Sequence, residues 1–296
     1  MKKLLLLALC FSVSTCFAED IDVFKLVEHG TPEQLQQALK SGAEFNIQQN
    51  ISDFDNLEVN SDYWPFDSGE TPLHRAAAYN HNPESIKFLI EQGLDVNAVA
   101  SVGNNATLTP LACALFSKNN AAAKELLKAG ANPNAWTAGG YDFVGTPFYI
   151  VAVEYDDNPS AVNEIVTALI NAGGNINNHE EIPSEELNKY EPEFVEHRTL
   201  FLPRSQWNGD DPISNMHFFS HATNGNFLTT FTPLMWAVIY DKPKMVDIFL
   251  DFNADVNIRS VENKSAVDYA DDLPQNSKIK KSSVFERLNR HLLGTR

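Results

Sequence analysis

Two histidines four residues apart, His217 and His221 in "HFFSH", could share one helical face and hold a metal; His179 and His197 lie in the same stretch. A zinc site needs three or four ligands in supporting geometry. The local spacing supplies two, so no metal and no cofactor is expected. Carboxylate pairs at Glu180-Glu181 and Glu185-Glu186 could in principle exchange protons, but helix starts and solvation account for such acids more simply. No Gly-x-Ser-x-Gly elbow, His-Glu-x-x-His helix, phosphate loop or dinucleotide fingerprint occurs. No catalytic residue is assigned, and the chain is expected to work without being an enzyme.

What the sequence concentrates is acid and aromatic side chains. Residues 47–70 contain Asp53, Asp55, Glu58, Asp62, Asp67 and Glu70 with no Lys or Arg, a charge of −6. Residues 178–231 contain nine acids against Lys189, Arg198 and Arg204, again −6, so the two stretches carry −12 of the formal −17. Tyr63 and Trp64 are interleaved in the first, and Tyr190 and Trp207 in the second; Trp136 and Tyr141 stand between them. Trp and Tyr bury large area at low rotamer cost, and charged rims steer partners. The candidate contact residues are therefore Asp53, Asp55, Tyr63, Trp64, Asp67, Trp136, Tyr141, Glu185, Glu186, Tyr190, Glu193 and Trp207. The expected partner is a protein with a basic surface. A strongly acidic chain repels nucleic acid, which excludes DNA or RNA.

The elements that must position these residues repeat. "GETPLHRAAAYNHNPESIKFLIEQGLDVNAV" from Gly69 is echoed from Leu108, Gly145 and Phe231, each time as Thr-Pro, an apolar helix, a polar turn, a second amphipathic helix and a closing x-Asn. "TPLH" at Thr71–His74 with these companions resembles the ankyrin repeat. The resemblance implies an all-α ankyrin-repeat solenoid of about six repeats, near 20–46, 69–97, 108–134, 145–177, 231–257 and 262–294, the first and last being degenerate caps. It also implies short β-turn fingers between repeats. Thr can cap and Pro can start the first helix, Gly93, Gly130 and Gly173 permit a left-handed helix stop, and Ile86, Leu89 and Ile90 present one apolar face to the next repeat. His74 is expected to be a structural hydrogen-bonding residue, and Cys113, in "TPLACALF", a small core residue.

Spacing locates the exceptions. Thr71 to Asn97, Thr109 to Asn134 and Thr232 to Asn257 span 26, 25 and 25 steps, whereas Thr146 to Asn177 spans 31. That puts about six extra residues in the helix–helix turn of the fourth repeat, around "YDDNPS". From each closing Asn to the next Thr the family takes about 8 steps. Here Asn46 to Thr71 takes 25, Asn97 to Thr109 and Asn134 to Thr146 take 12 each, and Asn177 to Thr232 takes 55. Finger insertions are thus expected at 47–68 and, much longer, at 178–230, both on the edge where repeat proteins commonly bind.

The start "MKKLLLLALCFSVSTCFA", residues 1–18, reads as a signal peptide: two lysines, a short apolar run and a small residue at the end. Residues 19–296 then form one exported repeat domain, periplasmic by expectation and secreted as the alternative. No segment is long and apolar enough to span a membrane; a lipid anchor on Cys16, through the lipobox-like "VSTC", is a lesser alternative whose Thr15 is atypical. The leading function is a non-enzymatic protein-binding protein of the bacterial envelope. Its architecture resembles ankyrin-type immunity proteins that occlude antibacterial effectors such as lipases. The alternatives are an accessory or stress-protection factor for an envelope enzyme such as a catalase, and a secreted effector binding a host protein.

Overall fold

Each Thr-Pro pair opens a helix. The computed structural model describes residues 21–50, 66–102, 106–135, 146–155, 158–179, 231–260 and 263–292. In it Thr31, Thr71, Thr109, Thr146 and Thr232 keep extended backbone, and the proline after each takes the first helical position. Proline suits that place because its missing N–H is a donor the first turn leaves unpaired anyway. The hydroxyls of Thr31, Thr109 and Thr232 accept from the backbone N–H three residues on. Ser265 does the same, and Asp268 reaches back to the Ser265 N–H to complete a capping box.

Twelve helices result among the described residues, in six consecutive pairs: α1 (Val23–His29) with α2 (Pro32–Lys40), α3 (Pro72–Tyr79) with α4 (Pro83–Glu91), α5 (Pro110–Phe116) with α6 (Asn120–Lys128), α7 (Pro147–Glu154) with α8 (Pro159–Asn171), α9 (Pro233–Ile239) with α10 (Pro243–Asp251), and α11 (Ala266–Asp272) with α12 (Ser283–Leu292). First helices pack on first helices and second on second along the whole series, giving two layers. Between the layers lie Leu35, Leu73, Ile86, Leu89, Leu126, Ile165, Leu169 and Phe249, all fully buried. Each such side chain contributes about 1.5–3 kcal/mol, and none could be buried within a single pair. Cys113 belongs to this core, free and buried.

The fingers after the first two repeats are more than turns. Strands β1 (Gln49–Asn50), β2 (Phe66–Glu70), β3 (Ala100–Val102) and β4 (Ala106–Leu108) form one antiparallel sheet in that order. The register pairs Gln49 with Glu70, Ser68 with Ser101 and Ser101 with Thr107. The extra residues lengthen the hairpin arms enough to pair with the neighbouring hairpin. One irregularity falls opposite Gly69, whose φ is +77° and where a Cβ would lie 3.0 Å from the Val99 carbonyl oxygen, a tight contact in a conformation that favours glycine.

The fourth repeat differs from expectation in a definite way. Its inter-helix connection, Tyr155–Asn158, is only one residue longer than those at 80–82, 117–119 and 240–242. Most of the extra length has gone into α8, which has 13 residues where α4, α6 and α10 have 9. Asn158 caps and Pro159 starts the added turn, so residues counted as loop continue the helix. Tyr155 is buried and its hydroxyl donates to Asn120 Oδ1 at 2.5 Å, tying the longer turn to repeat three.

Side chains in the turns between first and second helices close the ends of the previous repeat's first helix. Asn80 Nδ2 donates to the carbonyls of Val27 and Gly30, and Asn119 Nδ2 to those of Ala77 and Asn80. In the fifth repeat Lys242 takes over: its Nζ donates to the carbonyls of Ala152, Val153 and Tyr155 at 3.0, 2.6 and 2.7 Å. A cation suits the negative end of α7. Substituting Lys242→Met keeps the stem and removes the three charge-assisted bonds; about 2–3 kcal/mol of stability is expected to go. Urea unfolding should show a lower midpoint with an unchanged slope.

Candidate protein-interaction surface

The finger edge is built on a repeated Asx turn. Asn97, Asn134, Asn177 and Asn257 each donate a backbone N–H to the side-chain oxygen two residues earlier, on Asp95, Asn132, Asn175 and Asp255. Their side chains then bridge to the next repeat: Asn97 Oδ1 accepts from the Asn132 N–H at 2.8 Å, and Asn134 Oδ1 from the Asn175 N–H at 2.7 Å. Asn177 Oδ1 accepts from the Asp255 N–H at 2.8 Å, although 78 residues separate the two in sequence. With Lys242 on α7, and Tyr149 edge-on to Trp236 at 5.3 Å, this stacks repeat five directly on repeat four. Direct contacts thus join the repeats on either side of residues 180–230.

The root of the first finger is ionic. Arg75 on α3 clasps Glu70 at the end of β2 with Nε and Nη2, at 2.7 and 2.8 Å, and reaches Glu28 on α1 at 3.4 Å. Glu70 and Glu28 are buried, and Phe24 lies 5.4 Å beneath the guanidinium. Burial pushes the Glu70 carboxyl pKa up, the Arg75 hydrogen bonds and charge pull it down, and Glu28 raises it further. The same two positions, just before the Thr and four after it, hold other chemistry elsewhere. Leu108 and Cys113 are apolar, Phe231 and Trp236 meet edge-to-face at 5.2 Å, and Lys264 lies 5.6 Å over Tyr269. Phe231 also meets Tyr269 at 5.5 Å, so an aromatic chain Tyr149–Trp236–Phe231–Tyr269 runs through repeats four to six beside the rejoining point of the long insertion.

His74 is structural, as its place in the tetrapeptide suggests. It is fully buried; Nδ1 accepts from the Thr71 N–H at 3.2 Å, so Nε2 carries the proton and donates to the Leu108 carbonyl at 3.1 Å. Burial pulls its pKa down to about 4, against the opposing effects of the Leu108 and Ala98 carbonyls and Asp95. Because the folded pKa lies below the unfolded value of about 6.5, the unfolded chain takes up the proton first. This stability contribution is whole above about pH 6.5 and falls by about 3 kcal/mol as pH drops towards 4. Denaturation at pH 7 and pH 5 should reveal the loss, and His74→Gln should flatten it. For Cys113, burial together with the Glu70 charge pushes the thiol pKa far up, leaving no thiolate for chemistry.

On the second-helix layer charges are paired: Lys124 with Glu164, Lys128 with Glu125, and Arg287 with Asp247 and Asp251. Of the candidate contact residues, Asp67 lies on β2. Asp53, Asp55, Tyr63, Trp64, Trp136, Tyr141, Glu185, Glu186, Tyr190, Glu193 and Trp207, like His197, His217 and His221, lie outside the described residues. The structure therefore places the roots of the insertions, both on the finger edge, between a closing Asn and the next Thr-Pro. Sequence reading passed over Arg75 with its two carboxylates, Lys242 and the aromatic chain; the pairs Glu70/Arg75 and Phe231/Trp236 at one spacing were the available signal. Among the described residues no helix is long and apolar enough to cross a membrane.

Two family models match. Ankyrin repeats in three copies cover residues 24–136, and a further ankyrin repeat covers 230–261. The fourth pair, α7 and α8 with its added turn, falls between them yet stacks in phase. No curated protein is significantly similar in sequence. Significant structural likeness extends to 366 solved chains, so what is shared is a widespread fold. One belongs to the predatory endopeptidase Bd0816 from Bdellovibrio bacteriovorus in complex with the immunity protein Bd3460. It is 18% identical, with a TM-score of 0.50, 90% of this chain and 96% of that chain being covered. On repeat pattern, helix pairing and family match together, this chain is an ankyrin-repeat protein.

Proposed function

We propose that the protein is a non-enzymatic binding module of the bacterial envelope that neutralises an effector by covering it with its finger-edge insertions, as an immunity protein. The observation carrying this reading is that repeats four and five are bonded to each other across residues 180–230 by Asn177–Asp255 and Lys242–α7. The repeats that flank this acidic, aromatic chain are thus joined directly, and side chains of this type suit a basic partner surface. Finger edges are where repeat folds present binding residues. The fold likeness to a chain from an endopeptidase–immunity protein complex is in keeping with the assignment. Export by the leader and a periplasmic location belong to the same proposal.

The test is capture of the tagged full chain from an envelope extract, paired with a deletion strain challenged by neighbouring cells. Stoichiometric recovery of a basic secreted enzyme, with the deletion strain sensitised to it, is the expected outcome. No partner together with unchanged sensitivity would overturn the reading. Peroxide sensitivity alone would move the assignment to an accessory factor, and recovery of the protein from culture supernatant to a secreted effector.

A further inference from the structure

The two acidic insertions leave the same edge but not the same place. The first has its root at β1 and β2, between repeats one and two; the second leaves after His179 and rejoins at Phe231, between repeats four and five. Three repeats separate the roots, about 24–30 Å for packed helices 8–10 Å apart. Between them lie the hairpin of β3 and β4 and the Asn97, Asn134 and Asn177 ladder. This floor is almost uncharged: among the described residues 94–102, 106–108, 131–135 and 174–178, Asp95 is the one charged side chain. The stretches on either side, 47–70 and 178–231, carry −6 each.

The floor also has an apolar centre. Strand alternation turns Ala100 and Leu108 inward, both buried, and leaves Val99, Ser101 and Thr107 on the outer face, Ser101 and Thr107 being paired across β3 and β4. Val99 is 56% exposed, more than any other large apolar side chain among the described residues. The other exposed ones, Ile21, Leu39 and Leu292, belong to the first and last repeats, where a stack has an open end. Val99 stands in the interior of the stack, on backbone held from both sides: its carbonyl faces Gly69, and Ala100 after it pairs with Leu108. A neutral centre with an apolar anchor between charged margins is the usual anatomy of a protein interface.

We infer that the floor between the two roots is the centre of the interaction surface, and that Val99 takes an apolar side chain at the tip of a projection of the protein partner whose flanks carry lysine or arginine. The inference rests on the binding-module reading and adds to it the shape of the partner: an apolar tip with basic shoulders about 24–30 Å apart, as the spacing of the roots requires. Burial of the tip against Val99 supplies affinity, since both lose apolar surface to water. The acidic margins fix its register and speed its approach.

The test uses the full chain and the partner that the wild type retains from the envelope extract. Val99→Ser is expected to bind that partner about tenfold more weakly, Val99→Asp more weakly still, and Val99→Ile as the wild type does. The deficit of Val99→Ser should persist at about 0.5 M NaCl, where exposed charges are screened. All three variants should melt within about 2 °C of the wild type, because the side chain is exposed. Thr167→Asp, on the exposed side of α8, is the control and should leave affinity unchanged. Undiminished affinity in Val99→Ser and Val99→Asp would overturn the inference, as would an equal loss in Thr167→Asp, a loss that salt abolishes, or one that follows a lowered melting temperature. If binding then still disappears on excision of residues 180–230, only this inference falls and the binding-module reading stands. A wild-type chain that retains no partner would sink the binding-module reading, and this inference with it.

Discussion

A chain in which residues 180–230 are replaced by a short Gly-Ser bridge is expected to fold normally and to lose its partner. The fold should survive because the described contacts that join repeats four and five directly lie outside the excised segment. Asn177 bonds to Asp255, Lys242 closes α7, and Tyr149 meets Trp236. Removing 51 residues also shortens the closed loop, which favours the folded state by about 1–2 kcal/mol. The melting temperature should therefore stay level or rise, with unchanged helical circular dichroism. Affinity for the captured partner should fall about 100-fold or more, because the segment holds five of the candidate anchors, among them Tyr190 and Trp207. Full affinity in the shortened chain would place the site elsewhere on the solenoid. Collapse of the fold would make the segment structural.

Arg75→Ala is expected to be the most damaging single substitution at the first finger, costing about 3–5 kcal/mol. The guanidinium is the shared partner of two buried carboxylates, Glu70 and Glu28, from β2 and α1. Deleting it leaves both acids desolvated, which is worse than never having buried the charges. The damage should be local first, with α1 and α2 losing amide-exchange protection before the inner repeats, because Arg75 is the ionic tie between the first and second pairs. Two controls separate charge from packing. The deficit of Arg75→Ala relative to wild type should shrink as pH falls from neutrality, since the Glu70 carboxyl pKa is already raised by burial and loses the group that lowered it. The triple change Glu28→Gln, Glu70→Gln and Arg75→Met should recover most of the lost stability. Destabilisation that neither acid nor the triple change relieves would assign the effect to packing on Phe24 instead.

Much of the fold was legible because its signals are local. A Thr-Pro start, a Gly or Asn stop and an apolar face recurring along the helix act within one repeat, and stacking follows once no pair can bury its face alone. Gly93, Gly130 and Gly173 do adopt positive φ, and in the fifth repeat Asn253 fills the same role. Spacing could count the surplus residues of the fourth repeat but not place them. Whether "NPSA" continues a loop or adds a helical turn depends on the Asn158 cap and the packing of Tyr155 on Asn120, a contact 35 residues away in sequence. For the same reason composition counted Glu70 only among the acids of the first finger and passed over Arg75 and Glu28: no local pattern tells that residues 47 positions apart meet in a buried ion pair.

By itself the sequence determined the repeat, its phase and the edge from which the insertions leave, because those follow from short-range capping and periodicity. Only the tertiary structure decided what joins the repeats. An asparagine ladder, a lysine closing a helix some 90 residues earlier, and an aromatic chain through repeats four to six are partnerships between distant segments.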